Sequence, residues 1–191
     1  SIISGETSPC EGNSLTYMVD SDPNVSSYTW ILPNGWSGNS STNSITVTAG
    51  STEGNIIVTP MNDCGNGPSR SLAVDANSVP NQPSVINGNE APCVGESITY
   101  SITNDPNADS YIWTLPSGWA GSSNSNSITA SVGTEDGVVS VIPVNGCGNG
   151  IARELSVTAK AIPSPISSID GNTSVCEGTQ ELYSVELDEN V

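Results

Sequence analysis

The residues in this chain whose types and spacing could do chemistry are carboxylates, indoles and thiols. Asp22 and Asn24, with Asp20 ahead of them, set oxygen donors at alternate positions, and Asp105, Asn107 and Asp109 do so again further on. Hard oxygens in this spacing resemble the opening of a calcium loop. Such a loop has Gly at its sixth position, where this chain has Val25, and Thr103 stands where the first set has Asp20. Asp-Pro-Asn is also ordinary turn chemistry, and that is the simpler reading of both sets. Trp36 and Trp119 each follow a Gly. An outward indole there would stack on a sugar ring. An inward one would cap the open edge of a sheet, with its N–H on a backbone carbonyl.

The composition excludes several function classes. There is no His, which removes a Ser-His-Asp triad, a Cys-His pair and most zinc sites. Lys and Arg total 3 against 20 for Asp and Glu, a formal charge of −17. Phosphate backbones need clustered cations, so nucleic acid is not an expected partner, and anionic membrane surfaces are disfavoured for the same reason. No stretch approaches the roughly 18 apolar residues of a membrane-spanning helix. The Cys-Gly-Asn-Gly stretches lack the spacing and the Lys of a phosphate-binding loop and read as tight turns. No catalytic set is found, because the carboxylates change between related segments. No cofactor is expected, and calcium is the one ion the residues suggest.

What positions these side chains is an internal repeat. Cys10, Cys93 and Cys176 are spaced 93 − 10 = 176 − 93 = 83 residues apart. The same offset links Gly5 to Gly88 and Gly171, Gly12 to Gly95 and Gly178, and Tyr17 to Tyr100 and Tyr183. Over two copies it also links Trp30 to Trp113, Trp36 to Trp119, Cys64 to Cys147 and Arg70 to Arg153. An ungapped register of this kind marks duplication. The expected division is a first repeat over 1–78, a second over 79–161, and the start of a third, truncated one over 162–191. Linkers fall at SVPNQPS (78–84) and AIPSPIS (161–167), where paired prolines favour extended connections. No signal peptide is read at Ser1, so either it was cleaved or the chain is a piece of a longer protein.

Each copy reads as β throughout. Alternation predicts strands over 15–19, 28–32, 44–48, 55–61 and 71–74, with an early strand near Ile2 and Ile3 and a short one near Trp36. About seven short strands in a module of this size predict an all-β, antiparallel sandwich of immunoglobulin-like type, in tandem. Trp30 and Trp113 lie on the inward face of their strand and are expected at the centre of the core. Arg70 and Arg153, two of the three basic residues, are expected to hold an ion pair or a backbone carbonyl within their module.

The motif order adds a family resemblance. C-x-G-x-x-x-x-Y, Y-x-W-x-L-P-x-G-W, N-S-I-T and N-x-C-G-N-G occupy Cys10 to Tyr17, Tyr28 to Trp36, Asn43 to Thr46, and Asn62 to Gly67. They recur at Cys93 to Tyr100, Tyr111 to Trp119, Asn126 to Thr129, and Asn145 to Gly150. This pattern resembles the PKD-like repeat modules of Bacteroidetes surface proteins, such as gliding-motility adhesins of the SprB kind and enzymes exported by the type IX pathway. The resemblance implies immunoglobulin-fold spacers at the cell surface, associated with the outer membrane, and supplies no catalytic site. The better-known PKD domain carries W-x-F-G-D-G, where this chain has Leu32-Pro33-Asn34-Gly35-Trp36. The Asp is missing, and nothing attributed to it carries over.

Cysteines in a Gly- and Ser-rich all-β chain suggest an oxidising, extracellular setting. Cys10, Cys64, Cys93 and Cys147 are the disulfide candidates. Pairing within each copy is the simplest arrangement, closing loops of 64 − 10 = 147 − 93 = 54 residues. Sandwich topology raises an objection, since Cys10 and Cys64 should lie at opposite ends of a module. Pairing of Cys10 with Cys147 of the next copy meets that objection, and free thiols are the third alternative. The expected function is a non-catalytic structural or adhesive region of a secreted or cell-surface protein, acting as a spacer. Its expected partners are neighbouring repeats and, for adhesion, surface polysaccharide or other surface proteins. A glycan-binding module using Trp36 and Trp119, or an accessory region of an exported enzyme, are the other readings.

Overall fold

The structure, a computed structural model, describes residues 1–163, 165, 166 and 168–186. Among these residues every regular element is a strand. The chain divides into two units, Ser1–Pro80 with Val144–Asn149, and Asn81–Pro143 with Gly150–Val191.

In unit 1 the strands are β1 (Ser14–Met18), β2 (Ser27–Ile31), β3 (Ser37–Gly38), β4 (Ser44–Thr48), β5 (Gly54–Asn62), β6 (Gly65–Asn66) and β7 (Arg70–Val74). One sheet runs β1-β4-β3, all antiparallel, and a bridge from Ser4 to Met18 adds the first segment to its edge. The other sheet is built on β5, which pairs with β2, β6 and β7. Leu15 faces Val47 and Tyr17 faces Ile45 across β1 and β4, while Trp30 faces Val58 across β2 and β5. The period-2 alternation is met: Ile45 and Val47 are buried and the Thr residues beside them are exposed. Tyr17, Trp36, Ile45, Val47, Ile56, Val58 and Val74 form one core between the sheets. Full burial of such a side chain is worth about 1.5–3 kcal/mol.

Residues 81–157 repeat the pattern. Its strands are β8 (Ser97–Ser101), β9 (Ser110–Thr114), β10 (Ser127–Ser131), β11 (Gly137–Asn145), β12 (Gly148–Asn149) and β13 (Arg153–Val157). β10 pairs with β8, and β11 pairs with β9, β12 and β13. A bridge from Ala120 to Ser131 stands where unit 1 has β3. The core of Tyr100, Trp119, Ile128, Ala130, Val139 and Val141 matches that of unit 1 position by position. In the third copy β14 (Ile169–Asp170) pairs with β15 (Ser184–Val185). Two residues of the 161–167 linker and the end of the chain lie outside the described residues.

The repeated motif residues are the parts that hold this frame. A Cβ on Gly5 would sit 2.1 Å from the Tyr17 ring, and one on Gly88 equally close to Tyr100, so only glycine lets that segment cross the tyrosine. The phenols then donate to the carbonyls of Glu6 (2.6 Å) and Asn89 (2.8 Å), and Tyr183 to that of Asn172 (2.8 Å). Burial pushes the Tyr17 and Tyr100 phenols above their ordinary value, with Glu6 and Glu96 adding to it. In L-P-x-G-W, Gly35 takes φ +79° as the third residue of a turn closed by Trp36 N–H on the Pro33 carbonyl at 3.2 Å. This is the position at which a type II turn needs glycine.

Candidate functional site

Of the two readings open for Trp36 and Trp119, the structure has the inward one, with each N–H on a backbone carbonyl, whereas Trp30 and Trp113 lie less deep than expected. Trp36 and Trp119, named above as candidate sugar contacts, are core residues at 7% and 8% exposure. Their Nε1 atoms donate to the carbonyls of Thr52 (3.0 Å) and Glu135 (2.9 Å), and their rings meet Tyr17 and Tyr100 at 6.4 and 6.5 Å. An indole with both its polar atom and its faces engaged offers no platform for a sugar. Trp30 and Trp113, expected at the core centre, are only partly buried and pack on its margin. Their N–H groups donate to Thr42 (2.9 Å) and Ser125 (2.8 Å) carbonyls. The turn closed by Trp36 N–H on the Pro33 carbonyl leads into the core at Trp36, while Trp30 packs against that core from β2.

The candidate calcium ligands are turn residues. Asp22 Oδ1 accepts from the Asn24 backbone N–H (2.9 Å) and from Asn24 Nδ2 (3.1 Å), which places a donor group where a cation would need an acceptor. Asp105 Oδ1 accepts from Asn107 N–H at 2.9 Å in the same way, and Asp109 is exposed. No group of three or more Cys, Asp or Glu side chains suited to a metal ion comes together among the described residues. Asp188 and Asn190 of the third copy, which continue the same spacing, lie outside those residues. Beside Asp22, unit 1 carries a groove of about 460 Å³ lined by Tyr28, Pro60, Pro68 and Arg70, among others.

The cysteines depart from the simplest pairing. Cys10 is bonded to Cys147, 137 residues away, with Cα atoms 5.5 Å apart, while Cys64, Cys93 and Cys176 are exposed thiols. Bonds from Cys10 to Cys64 and from Cys93 to Cys147 are not formed, and strand length is the reason. Next to Cys10, Glu11 N–H donates to the Asn77 carbonyl at 2.8 Å, just past Val74, which faces Gly54 at the start of β5. Cys64 lies in the turn beyond Asn62, at the other end of the nine-residue β5. Eight steps of strand span about 26 Å, far beyond the roughly 7 Å that a disulfide can bridge. Cys147 sits in the segment Val144–Asn149, which belongs to unit 1 although the repeat register places it in the second copy.

Comparison with known proteins fits this architecture. The family model described as PKD-like domain matches residues 1–74 and again 79–157. The chain belongs to the PKD-like domain family. Among solved structures the I67–I69 fragment of the titin I-band superposes with a TM-score of 0.51 at 14% identity, over 85% of this chain and 67% of that one. Extracellular domains 3–5 of Drosophila OTK give 0.46 at 12% identity, over 83% and 62%. FdeC, an Escherichia coli adhesin, gives 0.40 at 16%, over 90% and 67%. The titin likeness shows the immunoglobulin-like tandem fold. No curated protein sequence matches the chain.

PKD-like domains with a disulfide suit an extracellular protein and a structural or adhesive role. Motif reading passed over the groove, together with the way the linker is held in the second PKD-like domain. Its one available signal was Arg70 and Arg153, conspicuous cations at equivalent positions in a chain with three. Arg153 Nε does hold a backbone carbonyl, that of Pro83 at 3.0 Å.

Proposed function

We propose that this chain is a non-catalytic repeat region of a larger secreted or cell-surface protein, whose role is to space a functional end from its anchorage. The observation that carries the reading is the Cys10–Cys147 bond, which joins residues of two sequence copies across a separation of 137 residues. A cross-link between copies would resist their separation under load. The reading is also supported by the indoles, which serve the domain cores, and by carboxylates that close turns. The mechanism is mechanical: folded modules, joined by Pro-containing linkers and cross-linked, keep their ends apart. The motif order further favours the surface of a Bacteroidetes cell, with type IX export and a part in adhesion or gliding. Neighbouring repeats are the first partners, and surface polysaccharide or other surface proteins are the adhesive ones.

Small-angle scattering from the oxidised chain tests this role. The expected distance distribution is asymmetric, with a tail longer than one domain. A symmetric, globular distribution would rule out a spacer. On intact cells, labelling with an antibody raised against the folded chain tests the location, and an absence of surface signal from cells that make the protein would overturn it.

A further inference from the structure

In unit 2 the linker ahead of Ser84 is held against the domain that follows it. Asn81 N–H donates to Asp105 Oδ2 (3.2 Å), Gln82 Nε2 to the Ala152 carbonyl (2.8 Å), and Arg153 Nε to the Pro83 carbonyl (3.0 Å). Pro83 is buried there. The counterparts of these acceptors and donors, 83 residues earlier, are Asp22, Ser69 and Arg70. They surround or adjoin the open groove of unit 1. The surrounding frame is the same in both places. Ser1 Oγ accepts from Asp20 N–H at 3.2 Å as Ser84 Oγ accepts from Thr103 N–H at 3.0 Å.

What differs is the cover. Tyr111 is 4% exposed and Pro143 is fully buried, whereas Tyr28 and Pro60 at the same positions are only half-buried. Asp105 and Arg153 are half-buried, and Asp22 and Arg70 are exposed. The adjoining hairpin tells the same story through independent chemistry. Cys147 is bonded to Cys10 and Asn145 Nδ2 donates to the Ser78 carbonyl at 2.8 Å, both within unit 1. Their counterparts are Cys64, an exposed thiol, and Asn62, exposed and donating to Asn24 instead.

We propose that this face of unit 1 is the acceptor site for the trailing end of another repeat of the same kind. The groove takes that repeat's Pro-containing linker, with a backbone carbonyl on Arg70 and an N–H on Asp22. Cys64 takes the cysteine of its C-x-G turn, the position held here by Cys10. The Sγ atoms of Cys64 and the incoming cysteine form the bond. Their two protons and two electrons pass to a disulfide oxidant of the export compartment, which leaves as a dithiol. By the same rule the exposed Cys93 is the donor for the second cysteine of a repeat on its far side. The result is a chain in which the first cysteine of each repeat is bonded to the second cysteine of the next.

The test compares this chain with one carrying an added in-frame copy of residues 1–83 ahead of Ser1, both produced under oxidising conditions and mapped by non-reducing peptide analysis. The expected result is a bond from the added copy's first cysteine to Cys64, with alkylation of Cys64 lost. Hydrogen exchange at residues 20–25 slows in the longer chain, and Arg70→Ala reverses that slowing while the Cys10–Cys147 bond still forms. That native bond is the check on folding. A Cys64 that stays alkylatable, or joins any other cysteine while Cys10–Cys147 is intact, overturns the proposal. If the longer chain does not fold, the same mapping on the full-length protein from its source decides, and a free Cys64 there is equally fatal. This outcome is separate from the spacer role, which scattering tests on the chain as it stands.

Discussion

At the scale of single residues, the tryptophans separate what local pattern determines from what packing determines. Strand alternation places Trp30 and Trp36 differently in the sequence, yet says nothing about which ring reaches Tyr17. The turn at Asn34–Gly35 settles it by returning Trp36 to the core, 6.4 Å from Tyr17. Trp119→Ala therefore removes a buried ring, its Nε1 bond to Glu135 and its contact with Tyr100. The expected cost is about 3–5 kcal/mol, in the range for aromatic truncation in a core. Trp113→Ala, at the core margin, should cost clearly less. Denaturant unfolding of the two variants checks the order. Equal losses, or a larger loss at Trp113, would mean that the core is centred on the other indole. Any retained polysaccharide affinity in a folded Trp119→Ala variant would confirm that the buried ring is no sugar platform.

At the scale of elements, much was legible in the sequence. The alternating run Ser44–Thr48 is a strand over those same residues, and the continuous run at 55–61 is β5 (Gly54–Asn62). Period-2 patterning and turn residues are local signals, and local signals suffice for strands. The disulfide was less legible because its partners are chosen by which end of β5 each thiol occupies, a consequence of topology that spacing alone does not carry. The same geometry predicts what reduction does. The chain-entropy model gives about 5 kcal/mol for a cross-link across 137 residues, but only when everything between them is unfolded. With both sandwiches folded by their own cores, the bond constrains a much shorter path. Reduction, or Cys147→Ser, is thus expected to speed amide exchange across 144–149 and leave Ile56–Val58 and Val139–Val141 protected. Global loss of protection would show that the domains depend on the bond to fold.

At the scale of the whole molecule, the net charge of −17 sets the response to ions, and that response distinguishes screening from binding. Carboxylates spread over domain surfaces repel one another, and salt with a Debye length near 10 Å at 0.1 M damps the repulsion. Added NaCl should therefore raise the unfolding midpoint modestly and then level off. A calcium site would behave differently, because a ligand bound only by the folded state adds about 2.7 kcal/mol at 100 times its dissociation constant. Extracellular modules that bind calcium do so at about 0.1–1 mM, so 1 mM calcium would add about 0.4–1.4 kcal/mol. Asp22 Oδ1 and Asp105 Oδ1 already accept turn N–H groups, and Asn24 turns its amide nitrogen toward the carboxylate. Calcium should accordingly act as a screening ion, matching magnesium at equal ionic strength in a thermal melt of the oxidised chain. A calcium-specific rise that saturates, and that Asp22→Asn or Asp105→Asn abolishes, would show that the turns open to bind the ion.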